Sequence, residues 1–233
     1  MSAGAAAQSE SERARALAEE HRRKADYLER RAMTFEQGGV GEVQVAETLS
    51  RLLLAGYAIV DDIRWPGTSK ANIDHVIYGP TGMFVVDAKN WTGKVYVKSG
   101  VLRQNGYSRT RETDKVAQMT DAIAAHLGPS VGTPTPVLCL AGQADVDAAW
   151  CGRTLVVGLD RLAPWIFRRP EIWPSSHVEA LTAWLPHVLQ PAASGQTMSV
   201  RSRGPASAEV RKEDPHRGRH EAPVKGLYEG LRR

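Results

Sequence analysis

Between residues 9 and 34 the chain has no glycine or proline and is rich in Ala, Glu and Arg. Its few apolar groups (Leu17, Ala25, Leu28, Ala32) are thinly spread. Strong helix formers without breakers predict a helix, and the weak apolar stripe predicts one that packs poorly. A solvated or coiled-coil arm is the plainer reading, a nucleic-acid-binding arm the alternative. Gly38-Gly39-Val40-Gly41 is expected to break this helix. A second helix then runs from Gly41 to about Leu54, with Val45, Ala46, Leu49, Leu52 and Leu53 on one face. Glu42 falls on that same face, three, four and seven residues before Val45, Ala46 and Leu49. Two readings stay open for it: an acid favouring the helix dipole, or a carboxylate aimed into the fold.

Past residue 56 the period shortens. Tyr57 to Ile63 reads as a strand closed by Trp65-Pro66-Gly67, and Asn72 to Lys89 as a hairpin. Lys94 to Lys98 alternates strictly, and turns at Gly100 and Asn105-Gly106 make it part of a small meander with 101–104. Glu112 to Leu127 is a helix ended by Gly128-Pro129. Short apolar strands at 136–140 and 154–157, then helices at 159–168 and 177–189, complete the fold. From about Pro191 the Ser, Gly, Pro and Arg content predicts a disordered tail.

The hairpin carries the chemistry. With a four-residue turn at Gly79-Pro80-Thr81-Gly82, Tyr78 pairs with Met83, Val76 with Val85, and Asp74 faces Asp87. Lys89 shares the face of Asp87, one step on. Two opposed carboxylates repel, and a cation between them removes the conflict. A divalent ion held by two carboxylates beside a lysine can activate water against a phosphodiester. A one-residue bulge would spoil this register. His75 must point to the opposite face, which favours a packed or hydrogen-bonded role over ligation. Trp91 is expected to cap the core beside the site. His177 and His187 lie ten residues apart on one predicted helix, with no third ligand.

Composition narrows the class. The chain is 42% hydrophobic and 24% charged, an ordinary soluble balance. The longest apolar stretch, Leu52 to Val60, is too short to span a bilayer, and the N-terminus lacks signal-peptide character. A cytoplasmic location without membrane contact is therefore expected. Cys139 lies in an apolar run and reads as a core residue; a disulfide with Cys151 would be unusual in that compartment. Net charge is +4, yet residues 34–199 hold 14 basic and 15 acidic groups, and residues 200–233 hold 9 and 5. The basic pI thus comes from the tail, whose cations could grip phosphates or merely keep it soluble.

G-G-V-G-E-V at 38–43, N-I-D-H-V at 72–76 and V-V-D-A-K-N-W-T-G at 85–93 resemble the NERD, or nuclease-related, domain over roughly residues 36–142. That family is similar to the restriction-endonuclease-like PD-(D/E)XK superfamily. The resemblance implies an α/β fold: a mixed central β-sheet flanked by helices, here with a helical N-terminal arm (1–35), the nuclease-like domain (36–190) and the disordered basic tail (191–233). It implies Mg²⁺ or Mn²⁺ bound by Asp74, Asp87 and the Ala88 carbonyl, with Glu42 helping directly or through water. Lys89 would orient the attacking water or neutralise the scissile phosphate. Gln118, on the helix at 112–127, is either a further site residue, as in related nucleases, or an ordinary surface amide.

The expected function is metal-dependent phosphodiester hydrolysis on nucleic acid, DNA in preference to RNA, with a homodimer left open. The rival is a non-catalytic nucleic-acid-binding or scaffolding module that keeps the fold, which the near-neutral domain favours. A third reading is a protein-interaction module driven by the N-terminal arm.

Overall fold

The computed structural model describes residues 3–68, 71–192 and 200–202. A seven-stranded mixed sheet lies between two helical layers. Its order is β10-β1-β2-β3-β7-β9-β8, with β1 at Ala58–Arg64, β2 at Asn72–Gly79, β3 at Gly82–Lys89, β7 at Thr135–Leu140, β8 at Ala149–Cys151, β9 at Thr154–Gly158 and β10 at Val200–Ser202. The half built from β10 to β3 is antiparallel, whereas β3, β7 and β9 run parallel. β3 is thus the seam between a hairpin half and a crossover half. The crossover from β3 to β7 holds a separate meander of β4 (Val95–Lys98), β5 (Val101–Gln104) and β6 (Tyr107–Ser108), then helix α2 (Thr110–Leu127).

Side-chain alternation in β2 and β3 feeds both layers. Val76, Tyr78, Met83 and Val85 pack with Val116, Met119 and Ile123 of α2 and with Val178, Leu181 and Leu185 of α4 (Ser175–Val188). Ile77, Phe84 and Val86 face the other way, onto Val45 and Leu49 of α1 (Ala3–Ser50) and Leu162 and Ile166 of α3 (Leu159–Phe167). β3 is buried along Gly82–Asp87, as the parallel seam of a three-layer fold requires. Cys139 and Cys151 are buried and free. No described helix is long and apolar enough to cross a membrane.

The expected break at Gly38-Gly39-Val40-Gly41 does not occur. One helix runs 48 residues from Ala3 to Ser50, followed by a short 3₁₀ turn at Arg51–Ala55. Glycine costs about 1 kcal/mol per helical position relative to alanine, too little to stop a helix anchored by Val45 and Leu49. At Gly41 the missing side chain serves packing instead, since a Cβ there would lie 2.7 Å from Asn90 Cβ.

The expected tail also needs correction. Residues 200–202 add the edge strand β10 to β1, and Arg201 donates from Nε and a terminal nitrogen to Asp61 at 2.7 and 2.9 Å. The apolar content of V-R-S is too low to announce a strand; a free sheet edge and a half-buried acid make it one. The remainder of the expected disordered tail, 193–199 and 203–233, lies outside the described residues.

A Cβ at Gly38 or Gly39 meets nothing within 4 Å. Gly38→Ala and Gly39→Ala are therefore expected to stabilise the protein by about 0.5–1 kcal/mol each, while Gly41→Ala destabilises it. Thermal melts of the three variants check this; a stabilising Gly41→Ala would remove the close packing against Asn90.

Candidate active site

The ladder between β2 and β3 runs from Gly79↔Gly82 through Tyr78↔Met83 and Val76↔Val85 to His75↔Val86. The turn and register are those expected from the sequence. Asp74 and Asp87 are the next positions, where the ladder stops. There the Ala88 amide donates instead to Asp74 Oδ2 at 2.7 Å. Asp87 and Lys89 form an ion pair from adjacent positions on one face of β3, and Lys89 Nζ also lies 3.3 Å from the Ala88 carbonyl oxygen.

No bulge intervenes, but the alternation does slip. The β1–β2 register is unchanged between Asp61↔His75 and Ile63↔Ile73. Yet Ile63 and Ile73 belong to the α2-side core, opposite to Ile59 and Ile77. Asp62, at φ +51°, is the residue between, and Asp74 lies across from it. A left-handed kink thus interrupts regular pairing at the position of the first catalytic candidate, and the ladder resumes at Ile63↔Ile73.

A cleft of about 440 Å³ opens here, lined by Glu42, Asp74, Asp87, Ala88 and Lys89, together with Gln37, Gly38, Asn72, Asn90, Trp91, Thr92, Gln104 and Lys115. Four of the side chains singled out in the sequence, and the Ala88 backbone, are therefore brought together. Gln118 is not: it is an exposed residue of α2 and does not line the cleft. The α2 residue that does is Lys115, one turn earlier.

Glu42 reaches the cleft because α1 is pinned to the end of β3. Asn90 Nδ2 donates to the Gln37 carbonyl at 2.9 Å, the oxygen one helical turn before Gly41. Only a residue without a side chain at 41 leaves room for that approach. The sequence hid this link, because a glycine before a glutamate reads as a helix start.

The electrostatics are strained. Burial, then the charge of Asp87, pushes the Asp74 carboxyl up to about 6 despite the Ala88 amide. Glu42 is exposed along its length, yet partial burial at its carboxyl raises its pKa; Asp62 and Asp87 add to the rise, His75 and Lys89 oppose it. Burial works against the Lys89 ammonium, but Asp87, by charge and hydrogen bond, and then Asp74 and Glu112 outweigh it, leaving the pKa raised. The lysine is therefore a cation at any physiological pH.

His75 does not line the cleft. It is buried, with Nδ1 2.7 Å from Asp61 Oδ1. The Asp61 pKa stays low because hydrogen bonds from His75 and Arg201, with their charges, outweigh burial. A carboxylate only accepts, so Nδ1 carries the proton. His177 packs against Trp173, ring centroids 4.8 Å apart.

A family model described as a nuclease-related domain, NERD, matches residues 37–140. That stretch, just under half of the chain, holds α1 from Gln37 onward, the hairpin, the meander, α2 and β7. Over those residues the chain is similar to the NERD family, and the mixed sheet between helical layers is consistent with the PD-(D/E)XK superfamily. No curated protein and no solved structure matches the chain.

Asp74 has a testable signature. The folded chain keeps its proton up to about pH 6, whereas the unfolded chain releases it in the ordinary carboxylate range. Stability therefore falls as pH rises through that window. Asp74→Asn retains an oxygen for the Ala88 amide but no charge. In EDTA it is expected to exceed the parent above pH 6 by on the order of 1–2 kcal/mol and to match it near the bottom of the window. An identical gap at both pH values would remove the charge explanation.

Proposed function

We propose that the nuclease-related domain at residues 37–140 is a metal-dependent nuclease that hydrolyses phosphodiester bonds, in DNA in preference to RNA. One observation carries this reading: Asp74 and Asp87 share a cleft wall, with Lys89 beside them and Glu42 supplied by α1. Like charges held together in a partly desolvated place weaken the fold. A cation between them would relieve that strain.

Asp74, Asp87 and the Ala88 carbonyl would hold Mg²⁺ or Mn²⁺, with Glu42 joining directly or through water. The donor set is all oxygen, which suits a hard cation. Among the described residues no three of His, Cys, Asp and Glu form a ready cluster. That sparseness fits magnesium, which takes one or two carboxylates and completes its shell with water and substrate phosphate. When bound, such an ion supplies Lewis-acid stabilisation of the phosphate and lowers the pKa of water.

The chain's own groups do the rest. Lys89 contacts Asp87 and the Ala88 oxygen, two of the groups assigned to the ion. Once these are shared, the ammonium can turn to the scissile phosphate or orient the attacking water. Glu42, whose carboxyl partial burial holds above its ordinary pKa, faces the same cleft from α1. The same reading places the protein in the cytoplasm, in keeping with its free cysteines.

A binding-only module is the second reading, favoured by the near-neutral charge of residues 34–199. Cleavage of linear, supercoiled and single-stranded DNA, and of RNA, with Mg²⁺, Mn²⁺ or EDTA separates the two. Metal-dependent cutting by the parent and its loss in Asp87→Asn are expected. Parental rates in Asp87→Asn would discard the site. Lys89→Ala is expected to keep metal affinity by calorimetry while losing turnover by roughly 10²–10³-fold; retained turnover would take the lysine out of the chemistry.

A further inference from the structure

Charge within the domain is unevenly spread. Residues 91–115 carry six cations (Lys94, Lys98, Arg103, Arg109, Arg111, Lys115) against Glu112 and Asp114. The rest of residues 34–199 holds 8 basic and 13 acidic groups. The near-neutral domain is therefore a basic wing on an acidic body, and the wing is the meander with the start of α2.

That wing forms one wall of the cleft. Gln104 of β5 lines the cleft beside Trp91, and its side chain donates to the Thr92 carbonyl at 2.9 Å. The Arg109 guanidinium lies 5.4 Å from the Trp91 ring centroid and donates to Gln104 Oε1 at 2.7 Å. Asn105 and Lys94 exchange two hydrogen bonds, at 2.9 and 2.8 Å. The meander is thereby fastened to the segment that follows Lys89. Tyr107 pairs with Gln104 across β5–β6, so both side chains share one face. Gln104 points to the cleft, while the Tyr107 ring, one strand further out, is 76% exposed.

An exposed tyrosine flanked by cations at the mouth of a phosphate-cleaving site has the chemistry of a base-stacking platform. Resting on the nuclease reading above, we infer that the β4–β5–β6 meander is a docking surface for single-stranded DNA. Tyr107 stacks on a base, and Arg109 and Lys115 draw the phosphates towards Asp74 and Asp87. The cleft has the volume of a small-ligand site, room for a single nucleotide with its phosphate. A duplex spread over the domain would lay phosphates against its acidic body.

The test is fluorescence anisotropy of labelled oligothymidylate, oligouridylate and a duplex of equal length. Full-length protein is used in EDTA, so that nothing is cut. Tightest binding to oligothymidylate is expected, weakened roughly 10-fold by Tyr107→Ala, largely restored in Tyr107→Trp, and falling with added salt. Equal or tighter binding of the duplex, tighter binding of oligouridylate, or no effect of Tyr107→Ala overturns the inference. Because the assay needs no cleavage, it fails independently of the nuclease reading. Single strand held through Tyr107 but never cut in Mg²⁺ would uphold the platform and defeat the enzyme.

Discussion

Two carboxylates held against their mutual repulsion are the constraint on which the site depends. Asp74 and Asp87 lie at the end of a hairpin whose other pairs are buried and, His75 apart, apolar. The core on both sides of β2 and β3 fixes the strands, and the strands leave the acids no freedom to separate. The Ala88 amide and the Lys89 ammonium relieve part of the repulsion. They do not remove it, since the Asp74 carboxyl is still pushed up to about 6. A fold stabilised by apolar packing on both faces of its sheet can carry one such unfavourable pair, and in enzymes unfavourable pairs gather where chemistry is done.

The surrounding structure serves the same pair. α1 would be free to slide along the sheet on Val45 and Leu49 alone. The bond from Asn90 to the Gln37 carbonyl, admitted by Gly41, registers the helix against the end of β3 and brings Glu42 to the cleft. On the outer side, β10 closes the free edge of β1, and Arg201 neutralises Asp61, which in turn orients the buried His75 next to Asp74. The segment furthest along the described chain thus supports the first strand of the hairpin through a short chain of charged hydrogen bonds.

Much of this is legible in the order of residues alone. The hairpin turn, its pairing from Tyr78↔Met83 inward, and the shared face of Asp87 and Lys89 follow from period-two alternation and a Gly-Pro-Thr-Gly turn, both local properties. The two core faces follow from the same alternation. Gln118 shows the limit: its place on α2 is one turn and a rotation away from that of Lys115, and a helical wheel does not say which arc will face a cleft formed elsewhere.

What the sequence determined by itself, then, was most of the strands and helices and the placement of Asp74, Asp87 and Lys89 on the hairpin, because strand alternation and turn geometry need only neighbours in the chain. Tertiary structure alone decided three things. It carried α1 unbroken through its glycines, because packing at Gly41 and anchoring at Val45 outweigh a small backbone penalty. It drew 200–202 into the sheet, because an open strand edge and a half-buried Asp61 offered bonds that a polar tripeptide could take up. It also set the basic meander beside the cleft, because side-chain amides more than ten residues apart, Gln104 and Asn105 reaching to Thr92 and Lys94, tie the two together. Each is a balance between distant groups, to which no local pattern has access.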